Sequence, residues 1–150
     1  MVLGHEGTAT RLTRDHRPED PQERERIEQS GGFFFKNRVL GVLAVTRSLG
    51  DHCLKKFVVS KPFVNQLSFR LPQRDPSSES KENDNDKTNS PVPSFIIVAC
   101  DGLWDVFSDQ DAVNFVLRFS DERDHVAKHL TNEALRRGSS DNVTVQVAWL

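Results

Sequence analysis

The chain has 150 residues, 36% of them apolar and 28% charged, with a formal net charge of -2 and a mean hydropathy of -0.54. That length suits one domain with a real core, and the near-balance of charge excludes the strongly cationic surface that sequence-independent nucleic-acid binding needs. No apolar run approaches the roughly 20 residues of a membrane span, and Met1-Val2-Leu3-Gly4 opens no targeting pattern. Two cysteines, Cys53 and Cys100, form neither a Cys-x-x-Cys pair nor a zinc-spaced cluster with histidine. A reducing compartment, cytoplasmic or nuclear, is therefore expected.

Residues 2–13 alternate loosely around Gly4 and Gly7, a hairpin-like pattern. Asp20, Pro21 and Glu23 predict a helix start: a cap, a proline at the first helical position and a capping-box glutamate. That helix runs to Ser30, stops at Gly31-Gly32, and with only Ile27 clearly apolar should lie on the surface. Val39 to Thr46 is apolar and β-branched and predicts a buried strand, with further short strands at 57–59 and 64–69.

Residues 72–93 contain no large apolar side chain before Val92. Such a tract cannot offset an ordering entropy of roughly 1–2 kcal/mol per residue, and predicts a disordered insert. Phe95-Ile96-Ile97-Val98-Ala99 predicts a central strand buried on both faces. Ser108 should cap a helix whose inner face is Ala112, Val113, Val116 and Leu117. A second helix should start near Asp121, bury Val126, Ala127, Leu130 and Ala134, and end at Gly138. Val143, Val145 and Val147 then alternate with polar or small residues as a strand with one wet face.

Two acids stand out. Asp101 follows an apolar strand, with Gly102 permitting a sharp turn and Asp105 four residues on; Asp141 lies in a turn just before the last strand. Each alone reads equally as turn chemistry. If the two strands are antiparallel neighbours, however, both carboxylates fall at one edge of the sheet. Carboxylates gathered there repel unless a cation neutralises them, and oxygen donors favour Mg²⁺ or Mn²⁺. The five histidines form no His-Glu-x-x-His pattern, and His125 and His129 predict a surface pair. No nucleophile elbow or P-loop occurs. Arg47 suits either a phosphate or a structural ion pair.

The strings decide among these readings. Arg38-Val39-Leu40-Gly41-Val42-Leu43-Ala44-Val45-Thr46-Arg47-Ser48-Leu49-Gly50-Asp51 resembles a signature block of the PPM (PP2C-type) phosphatases. So do Ile97-Val98-Ala99-Cys100-Asp101-Gly102-Leu103-Trp104-Asp105-Val106 and Gly138-Ser139-Ser140-Asp141-Asn142-Val143-Thr144-Val145. Leu12-Thr13-Arg14-Asp15-His16-Arg17-Pro18 and Arg26-Ile27-Glu28-Gln29-Ser30-Gly31-Gly32 match two further blocks. In the family's order, these blocks cover nearly the whole chain outside the insert.

The resemblance implies an α+β fold: a four-layer α-β-β-α sandwich of two antiparallel sheets flanked by helices, incomplete over residues 1–150. It implies two Mg²⁺ or Mn²⁺ ions and hydrolysis of phosphoserine or phosphothreonine in phosphorylated proteins. Asp101 and Asp141 match metal-binding aspartates, and Asp105 matches an acid of a weaker further metal site. Arg47 and Asp51 match signature positions with no direct catalytic role, and Gly102 and Asn142 match further signature positions. The family's Asp-Gly-His-Gly-Gly motif and its phosphate-gripping arginine have no counterpart here, and Gly4-His5-Glu6-Gly7 is no substitute. The chain is thus expected to be the C-terminal part of a phosphatase domain, inactive alone and monomeric when complete. The alternative is a non-catalytic, phosphatase-like module that docks protein kinases or phosphoproteins.

Overall fold

A computed structural model describes residues 1–68, 92 and 94–150. All of the expected insert except Val92 lies outside the described residues. The chain forms two compact units, one of residues 1–12 with 66–150, the other of residues 13–65.

The first unit is an antiparallel sheet covered by helices on one face. Strands β1 (Val2–His5) and β2 (Thr8–Arg11) form a hairpin. Its tip, Glu6 (φ 50°) and Gly7 (φ 77°), takes the left-handed conformations that match strand twist. β1 then pairs with β5 (Phe95–Ala99), and β5 with β6 (Val145–Trp149), giving the order β2-β1-β5-β6. A short helical turn, α2 (Asp101–Trp104), follows β5 directly. Two longer helices follow, α3 (Asp109–Arg118) and α4 (Val126–Arg136). The Ser108 hydroxyl accepts from the Asp111 amide and caps α3 as expected.

The core lies between sheet and helices. Val2, Phe95 and Ile97 meet Leu103, Ala112, Val113, Val116, Val126, Leu130 and Ala134, all essentially inaccessible to solvent. Each large side chain in that set contributes roughly 1.5–3 kcal/mol by leaving water. β5 is central, but it is buried on one face only: Phe95 and Ile97 point inward, while Val98 is 38% exposed. Helix α4 begins at Val126 rather than near Asp121. Residues 121–125 (Asp-Glu-Arg-Asp-His) are all exposed and offer the core nothing, so the helix starts at the first residue that can be buried. Gly138, at φ 91°, ends it.

The second unit is built on α1 (Pro21–Gln29) and a two-stranded sheet of β3 (Phe34–Phe35) and β4 (Arg38–Val39). Asp20 caps α1 through the Gln22 amide, with Pro21 at the first helical position. Glu23 is no capping-box residue. It is buried and turns to Arg26 and Arg47 instead. α1 therefore has a buried side made of Glu23 and Ile27, not only an exposed surface. The expected strand over 39–46 stops at Val39. Leu40 (φ 51°) and Gly41 (φ 72°) are left-handed, the chain folds back so that the Val39 amide donates to Leu43 O at 2.8 Å, and Val42 is 57% exposed. Nor is 57–59 a strand: Val59 makes a single parallel bridge to Arg47. Residues 64–68 are not extended ladder either, and Phe69 lies outside the described residues. The α+β class and two antiparallel sheets are both present.

Candidate metal rim

β5 delivers the chain to its C-terminal end at Ala99, whose register partner on β6 is Val145. Beyond that pair the two segments stay joined. The Cys100 amide donates to Thr144 O at 3.2 Å. The Cys100 thiol donates to Asn142 O at 3.1 Å, and its sulfur accepts from the Thr144 amide at 3.2 Å. Ser139 Oγ donates to Gly102 O at 2.7 Å. Gly102 itself leaves no space: a Cβ there would sit 2.3 Å from Asn142 O, well inside any real contact. Residues 100–102 and 139–144 thus form one clasp at one end of the β5–β6 ladder. Trp104 anchors it, its Nε1 donating to Ala99 O at 3.1 Å over the buried Leu103.

Asp101 and Asp141 belong to the two halves of that clasp, so the antiparallel pairing brings both acids to one rim. Asp101, Asp105 and Asp141 are all exposed. The Asp141 carboxylate accepts from the Asn142 amide at 2.6 Å, which fixes its orientation beside the clasp. Asp105 follows one turn after Asp101, its amide bonded to Asp101 O at 2.9 Å. The donor set at the rim is oxygen, since the Cys100 sulfur is engaged by backbone groups. Carboxylate oxygens suit a hard divalent cation that keeps several waters. Among the described residues no three His, Cys, Asp or Glu side chains converge into a protein cage.

Arg47 and Asp51 belong to the other unit. Arg47 forks onto buried Glu23, with Nε to Oε2 at 3.0 Å, and its Nη1 donates to Lys61 O at 2.9 Å. Arg26 completes the group, donating to Glu23 at 2.9 Å, to Phe57 O at 2.8 Å and to Thr46 O at 3.0 Å. Burial alone would raise the Glu23 pKa; the hydrogen bonds from Arg47 and Arg26 outweigh it and hold the carboxyl at about 2. Of the two roles open to Arg47, the structure fills the ion pair. Asp51, at φ 47°, accepts from Ser48 Oγ in the turn after Leu49. Composition and periodicity do not disclose the thiol clasp of Cys100. Its only signal is a cysteine placed between an apolar strand and Asp-Gly.

The first unit is thus an antiparallel sheet backed by helices, with exposed carboxylates at one end of its β5–β6 ladder. The protein phosphatase 2C family pattern matches residues 1–143. The chain belongs to that family, whose members are protein phosphatases. It is 42% identical over 150 residues to "Protein phosphatase 2C homolog 1" of Saccharomyces cerevisiae, covering 100% of this chain and 46% of the relative. It is 40% identical to "Protein phosphatase 1L" of Bos taurus, covering 98% of this chain and 37% of that protein. Among solved structures it resembles a sex determining protein of C. elegans with TM-score 0.78 and 27% identity, over 99% of this chain and 34% of that one. A phosphatase from Toxoplasma gondii matches with TM-score 0.73 and 26% identity, over 99% of this chain and 44% of that one. The chain thus spans less than half the length of these relatives.

Proposed function

We propose that this chain supplies part of the active site of a metal-dependent protein serine/threonine phosphatase, acting on phosphoserine and phosphothreonine in proteins. The observation that supports it is the placement of Asp101 and Asp141 on the two halves of one clasp. In this reading both hold Mg²⁺ or Mn²⁺ through carboxylate oxygens, and Asp105 serves a further, weaker ion. A bound ion would supply an activated water nucleophile and polarise the phosphoryl group. The chain's own part is to hold the two acids in register: Cys100 and Ser139 tie the loops together, and Gly102 admits the Asn142 carbonyl where a side chain would push it away. The remaining ligands and the phosphate-gripping arginine implied by the resemblance are absent from these 150 residues. The activity is therefore assigned to a protein in which an Asp-Gly-His-Gly-Gly block accompanies them.

The test grafts this chain in place of the matching segment of the Saccharomyces cerevisiae relative and follows Mn²⁺-dependent hydrolysis of a phosphothreonine peptide. Asp101→Asn and Asp141→Asn are each expected to lower kcat by at least ~100-fold, more than the loss seen for outer-shell changes. Mn²⁺ binding by the 150-residue chain itself, read by electron paramagnetic resonance, should weaken in the double variant. Undiminished turnover with asparagine at both positions would sink the proposal.

A further inference from the structure

The four-residue turn α2 carries Asp101 and is too short to satisfy its own carbonyls. The Asp105 amide takes Asp101 O at 2.9 Å. The next amide, Val106, passes over Gly102 O and bonds Leu103 O at 3.2 Å; the Phe107 amide bonds Leu103 O as well, at 3.1 Å. Gly102 O is left to a side chain. Among the described residues its donor is the Ser139 hydroxyl, at 2.7 Å and across 37 positions of sequence.

Ser139 is itself tied to the core. α4 ends in a Schellman arrangement: the Gly138 amide donates to Leu135 O at 3.0 Å, and the Ser139 amide reaches back to Ala134 O at 3.0 Å. Ala134 is fully buried. The backbone of Ser139 is thereby fixed to the end of a core helix, while its hydroxyl grips the turn that carries Asp101. Arg137 adds a longer second hold on the same stretch, its Nη1 donating to Val106 O at 3.3 Å. Asp141 stands two residues beyond Ser139. The ties through Cys100 run to Asn142 and Thr144, which follow Asp141 in the chain. Ser139 is the tie that precedes it. The loop bearing Asp141 is therefore pinned on both sides to the segment bearing Asp101.

We propose that Ser139 is a positioning residue for the metal rim. Its hydroxyl sets where the Asp141 loop stands relative to the Asp101 turn, and through that placement it sets the affinity for the divalent ion. In this role it touches neither ion nor substrate. An alanine at 139 leaves the part-buried Gly102 carbonyl without its donor and releases the loop on its α4 side. Both carboxylates remain, so an occupied rim has the same ligands as before. The effect therefore falls on ion binding and little on the chemical step. The inference rests on the phosphatase reading and deepens it.

The experiment titrates the 150-residue chain with Mn²⁺, followed by electron paramagnetic resonance, and takes turnover of a phosphothreonine peptide by the grafted phosphatase as a second readout. Ser139→Ala should raise the Mn²⁺ dissociation constant about tenfold, the lower end of the range for residues that orient metal ligands. In the graft it should raise the Mn²⁺ needed for half-maximal turnover by a similar factor, with kcat at saturating Mn²⁺ within about twofold of the unsubstituted graft. Ser139→Thr keeps the hydroxyl and should restore both values. Where alanine costs the fold, read by far-ultraviolet circular dichroism, Ser139→Cys replaces it: this weaker donor should weaken Mn²⁺ binding part-way, and unchanged binding overturns the proposal. An alanine chain that loses thermal stability yet keeps its Mn²⁺ affinity has lost packing alone, which also overturns it. So does a fall in kcat with the Mn²⁺ dependence unchanged. Turnover that survives Asp101→Asn and Asp141→Asn sinks the phosphatase reading. Turnover abolished by those two, with a Mn²⁺ dependence that Ser139→Ala does not move, leaves that reading standing and sinks this inference alone.

Discussion

The two units are stabilised in opposite ways. The sheet unit encloses a continuous apolar core, from Val2 and Phe95 across to Leu130 and Ala134. The unit of residues 13–65 has a small apolar cluster, centred on Ile27, Val39 and Val58, and beside it a buried carboxylate between two guanidiniums. Apolar burial is non-directional and insensitive to pH. A buried ion pair is directional, and removing one member leaves the other charge stranded in a poor solvent. Asp101 and Asp141 stand on the first kind of framework, and Arg47 belongs to the second.

The largest expected effect is at Glu23. Glu23→Ala strands Arg26 and Arg47 and should destabilise the chain by about 4 kcal/mol, read by chemical denaturation. The same network has a pH signature. The folded pKa of Glu23, about 2, lies below its ordinary 4.5. Its contribution is therefore complete above pH 4.5 and fades as pH falls toward 2, by roughly 3 kcal/mol in all. His16 adds in the same direction at higher pH. Burial, and then Arg47, lower its pKa from 6.5, so protonation opposes folding as pH falls below that value. Amide exchange in α1 should accelerate in acid before exchange in β5. Equal acceleration in both would erase the distinction between the units.

The next effect is in the apolar core. Leu130→Ala removes a fully buried side chain and should cost about 3 kcal/mol at every pH where the protein folds. A penalty that changed between pH 4 and 7 would mean that this core is coupled to a titrating group. The smallest is Ser108→Ala. It deletes the cap on α3 and should cost about 1 kcal/mol, as a few degrees in Tm. A loss several times larger would show that the Ser108–Asp111 contact also shapes the packing of α3 on α4.

The same contrast explains what the residues disclose. In the sheet unit, local patterns agree with the fold. Val145 and Val147 alternate, Val126, Leu130 and Ala134 recur at helical spacing, and Ser108 and Gly138 punctuate the helices. The segments bearing Asp101 and Asp141 adjoin because β5 and β6 pair antiparallel, which the apolar runs at 95–99 and 143–147 suggest. In the other unit, burial is decided by a charge network that periodicity cannot see. Val39 to Thr46 has the composition of a strand, yet two left-handed residues turn it back on itself. Glu23 has the spacing of a capping box, yet two arginines compete for it more effectively. Hydropathy carries no trace of a thiol that bonds a neighbouring loop, so the Cys100 clasp became visible only in three dimensions.

If the proposed metal site is right, that clasp decides how the site would depend on its ion. The loops bearing the two acids are fastened to each other by a hydroxyl and a thiol on backbone partners. The cation would be a visitor to a finished berth and no rivet in the hull. Chelation should silence the chemistry while leaving the architecture standing, and occupancy should rise and fall with the ambient supply of free cation.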